Sequence, residues 1–175
     1  YEWANEAIEY LKKQKIITGY PDGSFRPDAN ITREEFVKIL VLAMELSPIY
    51  SDNTFSDVIS GSWYEQTVKT AASLGIVNGI DKDIFGVGEN ITRQDLVTMV
   101  YRAALYQNIN LKSGTNSITD FDEISEYARE AVLKLTRAGI INGVGNGVFA
   151  PKSFATRAET AKIIYMLKSY MNGGV

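Results

Sequence analysis

Three arginines stand where a reactive or binding role is easiest to imagine. Arg33, Arg93 and Arg157 each follow a threonine, in "ITREEF" (Ile31–Phe36), "ITRQDL" (Ile91–Leu96) and "ATRAET" (Ala155–Thr160). Thr32 with Glu35 and Thr156 with Glu159 have the spacing of a helix-capping box, and Thr92 with the shorter Asp95 approximates it. The arginine is then the first residue inside the helix, where the dipole favours acids and mildly disfavours a cation. A guanidinium kept there three times suits an external anion, which would meet forked donors beside the free N–H groups of the helix start. The plainer alternative is an exposed arginine inherited by duplication, or one paired with Glu34 or an acidic loop residue. On the anion reading, Arg→Ala lowers affinity and shifts stability by no more than about 0.5 kcal/mol, as at exposed sites.

The elements around these arginines repeat. In register on Thr32, Thr92 and Thr156, an aromatic lies 29 positions upstream each time, at Trp3, Trp63 and Tyr127. Ile16, Ile76 and Ile140 lie 16 before, Gly19, Gly79 and Gly143 lie 13 before, and Phe25, Phe85 and Phe149 lie 7 before. With the threonine and arginine, five positions of that window are identical in all three copies: Ile16, Gly19, Phe25, Thr32, Arg33 and their counterparts. The threonines are 60 and 64 residues apart, which gives three units at 1–47, 53–107 and 118–171.

Each unit reads helix, loop, helix. Trp3, Ala7, Ile8 and Leu11 recur at helical period, matched by Trp63, Val68 and Ala71 and by Tyr127, Ala131, Val132 and Leu135. Gly75 and Gly139 supply the left-handed stop. The first unit has Lys15 there, predicted to take positive φ at a cost of about 1 kcal/mol or to end its helix differently. In the second helices Phe36, Ile39, Leu40 and Ala43 mark the buried face, as do Leu96, Met99, Val100 and Ala103, then Ile163, Ile164 and Leu167. Ile31 with Phe36 and Ile91 with Leu96 form hydrophobic staples, both of whose members the third unit replaces, by Ala155 and Thr160. One such helix pair cannot enclose a core, whereas three can, in a closed arrangement or an open solenoid. The connecting segments carry "FSDV" (Phe55–Val58) and "FDEI" (Phe121–Ile124), expected to be pinned to the body.

Other residues admit two readings. Trp3, Trp63 and Tyr127 could stack on a sugar face or fill a junction between units. Gly19, Gly79 and Gly143 fit a turn requiring positive φ, or close approach of a ligand to bare backbone. Asp57 could contact ligand or cap the following segment. Several function classes fall away. The chain has 175 residues with 18 Lys+Arg against 21 Asp+Glu and no basic block, so nothing supports a grip on nucleic acid. Histidine and cysteine are absent, which removes thiol nucleophiles, Ser-His pairs, disulfides and Cys/His zinc sites. "DKDIFG" opens like a calcium loop, but its twelfth position is Thr92 rather than glutamate. "NGVGNGVF" lacks the lysine and spacing of a phosphate loop. No acidic pair stands out for glycoside hydrolysis, so no enzyme activity, cofactor or metal is expected. No apolar run approaches the roughly 20 residues of a membrane span, and no signal peptide is seen. A start at Tyr1 rather than Met reads as a fragment or mature form.

Together, F-x-D-V, the tryptophan, an alanine-rich helix, G-Y-P-D-G-x-F-x-P and I-T-R-A-E resemble the S-layer homology domains, with "WANEAIEYLKKQKIITGYPDGSFRPDANITREEF" close to a full match. The resemblance spans essentially the whole chain as three copies. It implies a mainly α module with pseudo-three-fold symmetry around a central three-helix bundle, monomeric, extracellular and at the bacterial cell surface. It further implies binding of secondary cell-wall polysaccharide, often bearing anionic pyruvate ketals, in grooves between repeats that use the T-R arginine. On it, Arg33, Arg93, Arg157, Trp3, Trp63, Tyr127, Asp57, Gly19, Gly79 and Gly143 are the candidate carbohydrate contacts, Arg157 and Arg33 ranking above Arg93. A protein–protein assembly module of a surface lattice is the alternative. The copies depart from the pattern: the first lacks F-x-D-V, the second reads "NGIDKDIFGVGENITRQD", and the third has Glu123 for the aspartate and Tyr127 for the tryptophan.

Overall fold

Apolar stripes at helical spacing and threonine caps dictate six helices, and a computed structural model, which describes residues 1–50, 55–115 and 117–173, contains them. They are α1 (Glu2–Lys13), α2 (Arg33–Ala43), α3 (Glu65–Ser73), α4 (Arg93–Tyr106), α5 (Glu126–Arg137) and α6 (Arg157–Met171), with one 3-10 turn at Phe121–Glu123. The described residues form no extended strands, only isolated bridges. The fold is mainly α. The expected start of the second unit, residue 53, lies outside the described residues.

Caps form as the residue types require. Thr32 and Thr156 accept from the N–H of Glu35 and Glu159, and both glutamates return a bond to the threonine N–H. Asp95 donates its N–H to Thr92 at 3.3 Å, but its shorter carboxylate takes the Thr92 hydroxyl at 2.6 Å instead of the backbone, leaving half a box. Lys15 adopts φ 57° where Gly75 and Gly139 have 69° and 73°, the first of the two expected outcomes.

The helices pair across units rather than within them. α2 packs on α3, α4 on α5, and α6 on α1, so the last helix meets the first and the set closes, which rules out the open solenoid. Tyr101 donates to Glu130 across α4–α5, and Tyr165 donates to Glu6 across α6–α1. The second helices also meet, α2 against α6. Just before their caps the three loops form a ring of backbone bonds. Ile31 N–H donates to Ala155 C=O, Ala155 N–H to Ile91 C=O, and Ile91 N–H to Ile31 C=O, at 3.0–3.1 Å. Ile31, Ile91 and Ala155 are buried there in one continuous apolar core.

Candidate functional site

That ring puts each arginine against the next unit, not against its own. Arg33 Nε donates to Phe85 C=O at 2.9 Å, Arg93 Nε to Phe149 C=O at 2.8 Å, and Arg157 Nε to Phe25 C=O at 3.0 Å. Each guanidinium also lies over the ring of that phenylalanine, 5.2, 5.2 and 4.8 Å from its centroid. An Nη then faces the capping acid of the same neighbour: Asp95 at 3.9 Å, Glu159 at 2.6 Å and Glu35 at 3.9 Å. Arg33 and Arg157 donate further to the turn carbonyls of Asn78 and Thr18. Burial pushes Arg33 and Arg93 below their ordinary pKa, with Asp95 and Glu159 respectively opposing the shift.

Two expectations are corrected here. The arginines are not exposed, at 4, 5 and 8% of their free surface, so truncation strips a carbonyl of its donor, buried for Arg33 and Arg93 and half-buried for Arg157, and is not expected to be near-neutral. Nor are the helix-start N–H groups open to an anion. Those of Arg33, Arg93 and Arg157 donate to Glu89, Ser153 and Ala29 C=O at 2.9 Å each. Arg33 makes its ion pair with Asp95 rather than Glu34, whose carboxylate accepts from Gly88 N–H at 3.0 Å and acts on Arg33 only through its charge.

The guanidinium groups nevertheless face clefts. Three equivalent grooves occur, each drawing on all three units: an arginine from one, the turn and second helix of the next, and the head aromatic of the third. Arg33 faces Asn78, Gly79, Asp95, Arg102 and Tyr127. Arg157 faces Thr18, Glu35, Lys38, Trp63 and Lys15. Arg93 faces Asn142, Gly143, Glu159, Lys162 and Trp3. The cavities measure about 430, 270 and 430 Å³, the scale of small-ligand sites. Trp3, Trp63 and Tyr127 are half exposed in them, at 51, 54 and 55%, with Lys38 Nζ 5.0 Å from the Trp63 ring centre. The Tyr127 hydroxyl is fixed by donating to Asp95 at 2.6 Å and accepting from Gln94 at 2.9 Å. Burial, and then Asp95, raise its pKa well above the ordinary tyrosine value.

The glycines are needed for a different reason than positive φ. Gly19, Gly79 and Gly143 have ordinary φ, but a Cβ on each would meet the carbonyl oxygen five residues on, of Ser24, Ile84 or Val148, at 2.8 Å in the first and closer in the others. The adjacent residues Tyr20, Ile80 and Val144 donate to those same oxygens, so each loop is pinched shut upon its glycine. Gly79 and Gly143 border grooves, whereas Gly19 does not line the groove of its own unit.

Asp57 does not line the grooves, although its charge acts on Arg33 from behind the Phe85 loop. Its carboxylate accepts N–H bonds from Phe85, Gly86 and Val87 at 2.7–2.8 Å. Burial would raise its pKa, but those backbone donors together hold it below the ordinary carboxylate value. In the third unit the same work falls to Asp120, accepting from Phe149 and Ala150, not to Glu123. Sequence reasoning missed this because Asp120 sits 29 residues before its phenylalanine and Asp57 only 28. It also passed over Lys38 and Lys162, both six after their capping threonine, and Arg102. Their spacing was visible, but nothing without the groove gave it meaning.

The family model for the S-layer homology domain matches residues 1–37, 54–97 and 117–161. The chain belongs to the S-layer homology domain family. Its relatives include an amylopullulanase of Thermoanaerobacterium thermosulfurigenes, 36% identical over 94% of this chain and 9% of that protein. A cellulosome-anchoring protein of Acetivibrio thermocellus is 28% identical over 91% of the chain and 37% of its own length. An S-layer protein of Bacillus licheniformis is 29% identical over 93% and 18%. The chain thus spans a minor part of each. S-layer homology modules are non-catalytic and anchor proteins at the cell surface, and this one belongs to that extracellular, cell-wall setting. No helix among the described residues is long and apolar enough to cross a membrane.

Proposed function

We propose that the chain anchors its parent protein by binding an anionic, pyruvylated secondary cell-wall polysaccharide in the grooves between units. Groove charge carries this reading. The chain is net −3, yet two cations face one carboxylate in the Arg33 and Arg93 grooves, and three face one in the Arg157 groove. A guanidinium has five N–H donors. With Nε on a carbonyl and others on a turn or acid, donors remain for a ligand carboxylate, and the half-exposed aromatic supplies a face for the sugar ring. Arg33 and Arg157 stand 3.9 Å from their acids and Arg93 only 2.6 Å, which supports ranking the first two above the third. The module acts as a monomer, its three units supplying what separate subunits would otherwise bring.

Retention on purified wall sacculi, before and after chemical stripping of the polysaccharide, tests this. Binding that disappears with the polymer is the expected result. Equal retention on stripped walls overturns it, and self-association in its place favours a lattice-assembly role.

A further inference from the structure

The third unit has a second crevice beside its groove. Its origin lies in one substitution. Ser56 N–H donates to Asp83 C=O as Thr119 N–H does to Gly147 C=O, and Asp57 matches Asp120, so Phe55 and Ile118 occupy equivalent places. In the second unit the Phe55 ring packs 5.7 Å from the Phe85 ring, and a Cβ on Gly79 would stand 2.9 Å from it. Ile118 is smaller and leaves a crevice of about 250 Å³ bordered by Thr136, Asn142, Gly143, Gly147 and Phe149. The Thr136 hydroxyl is buried there with no partner, not even the carbonyl one helical turn earlier. Its counterparts, Ala72 and Lys12, place no hydroxyl at that position. A buried hydroxyl without a partner is destabilising, and a ligand hydroxyl that bonds to it would recover that loss.

We propose that this crevice is a second sugar subsite, holding a neutral pyranose residue of the chain whose anionic unit lies in the Arg93 groove. This rests on the polysaccharide reading above. Asn142 and Gly143 border both cavities, which places the crevice directly beside the Arg93 groove, within reach of the next sugar of a bound glycan. Among the described residues no charged side chain lines the crevice, which pairs hydroxyl and amide groups with the apolar side chain of Ile118 over the edge of the buried Phe149. That combination matches the hydroxyl rim and C–H face of an uncharged sugar. It also suits this groove above the others: Arg93 is held tightest by its own acid, so affinity here draws more on glycan length than on charge.

The test titrates the ¹⁵N-labelled chain with the mono- and disaccharide fractions of partially hydrolysed wall polysaccharide, followed at the Gly143, Gly145 and Gly147 amides. The monosaccharide is expected to move Gly143. The disaccharide is expected to move all three and to bind about tenfold more tightly, the worth of one or two hydrogen bonds. Ile118→Phe, which installs the residue of the second unit, should abolish the gain and spare monosaccharide affinity. Thr136→Val, for which no partner is lost, should reduce the gain severalfold without lowering Tm. If the disaccharide binds no tighter, or if Ile118→Phe raises Tm and leaves both affinities unchanged, the crevice holds only water and the subsite is overturned alone. If neither fraction moves Gly143, the anchor reading of this groove falls with it.

Discussion

Replacing Arg93 by alanine removes three things at once. The Phe149 carbonyl, fully buried with its residue, loses the Nε donor at 2.8 Å. A hydrogen bond from a charged donor contributes about 1.5–3 kcal/mol. Glu159 loses a partner at 2.6 Å, though its partial exposure lets water replace some of that. The guanidinium also leaves the Phe149 ring face, worth about 0.5–1 kcal/mol at such a site. These overlap, so the expected loss is about 3 kcal/mol rather than their sum. Urea unfolding should show a shifted midpoint at constant m, with Tm lower by about 6–12 °C for a chain of this length. Arg33→Ala should cost about 1 kcal/mol less, because Asp95 stands 3.9 Å away rather than 2.6 Å. A loss under about 0.5 kcal/mol for Arg93→Ala would refute the idea that these arginines clamp one unit to the next.

Other substitutions separate backbone causes from side-chain ones. Gly143→Ala should destabilise by more than about 2 kcal/mol, since its Cβ would collide with Val148 C=O, whereas Gly139→Ala, at φ 73° with open space, should cost about 1 kcal/mol; denaturant titrations of the pair check the order. Lys15→Gly should raise stability by a few tenths to about 1 kcal/mol by relieving its left-handed φ of 57°, read from the same titrations. Because Asp57 has its pKa lowered in the fold, its contribution is complete above the ordinary carboxylate pKa of about 3.9 and is lost as pH falls through the lower folded value. Stability measured against acid pH should therefore fall less steeply in Asp57→Asn than in the parent.

Much of this was written in local pattern. Apolar period, capping threonines and the glycine stops located all six helices, because each depends on residues within a few positions of one another, although Trp63, read as part of a helical stripe, precedes α3. The cross-unit pairing was not legible: α2 on α3 and α6 on α1 satisfy the same stripes that a solenoid would. Arg33, Arg93 and Arg157 were found by repetition, but their burial was invisible because their partners, Phe85, Phe149 and Phe25, lie 52, 56 and 132 residues away. Gly79 and Gly143 were recognised as special for the wrong reason, since sequence shows that glycine is present but not whether torsion or crowding demands it. Asp120 was hidden by a one-residue shift that only the N–H donors of Phe149 and Ala150 expose.

The ring of three backbone bonds through Ile31, Ala155 and Ile91 has an arithmetic consequence. Every donor and acceptor in it is already taken, so a fourth copy appended by gene duplication would find neither a seat in the triangle nor a helix left to pair with. Growth by single copies is thereby blocked, and a longer array of this sequence must add complete triplets, each shut upon itself.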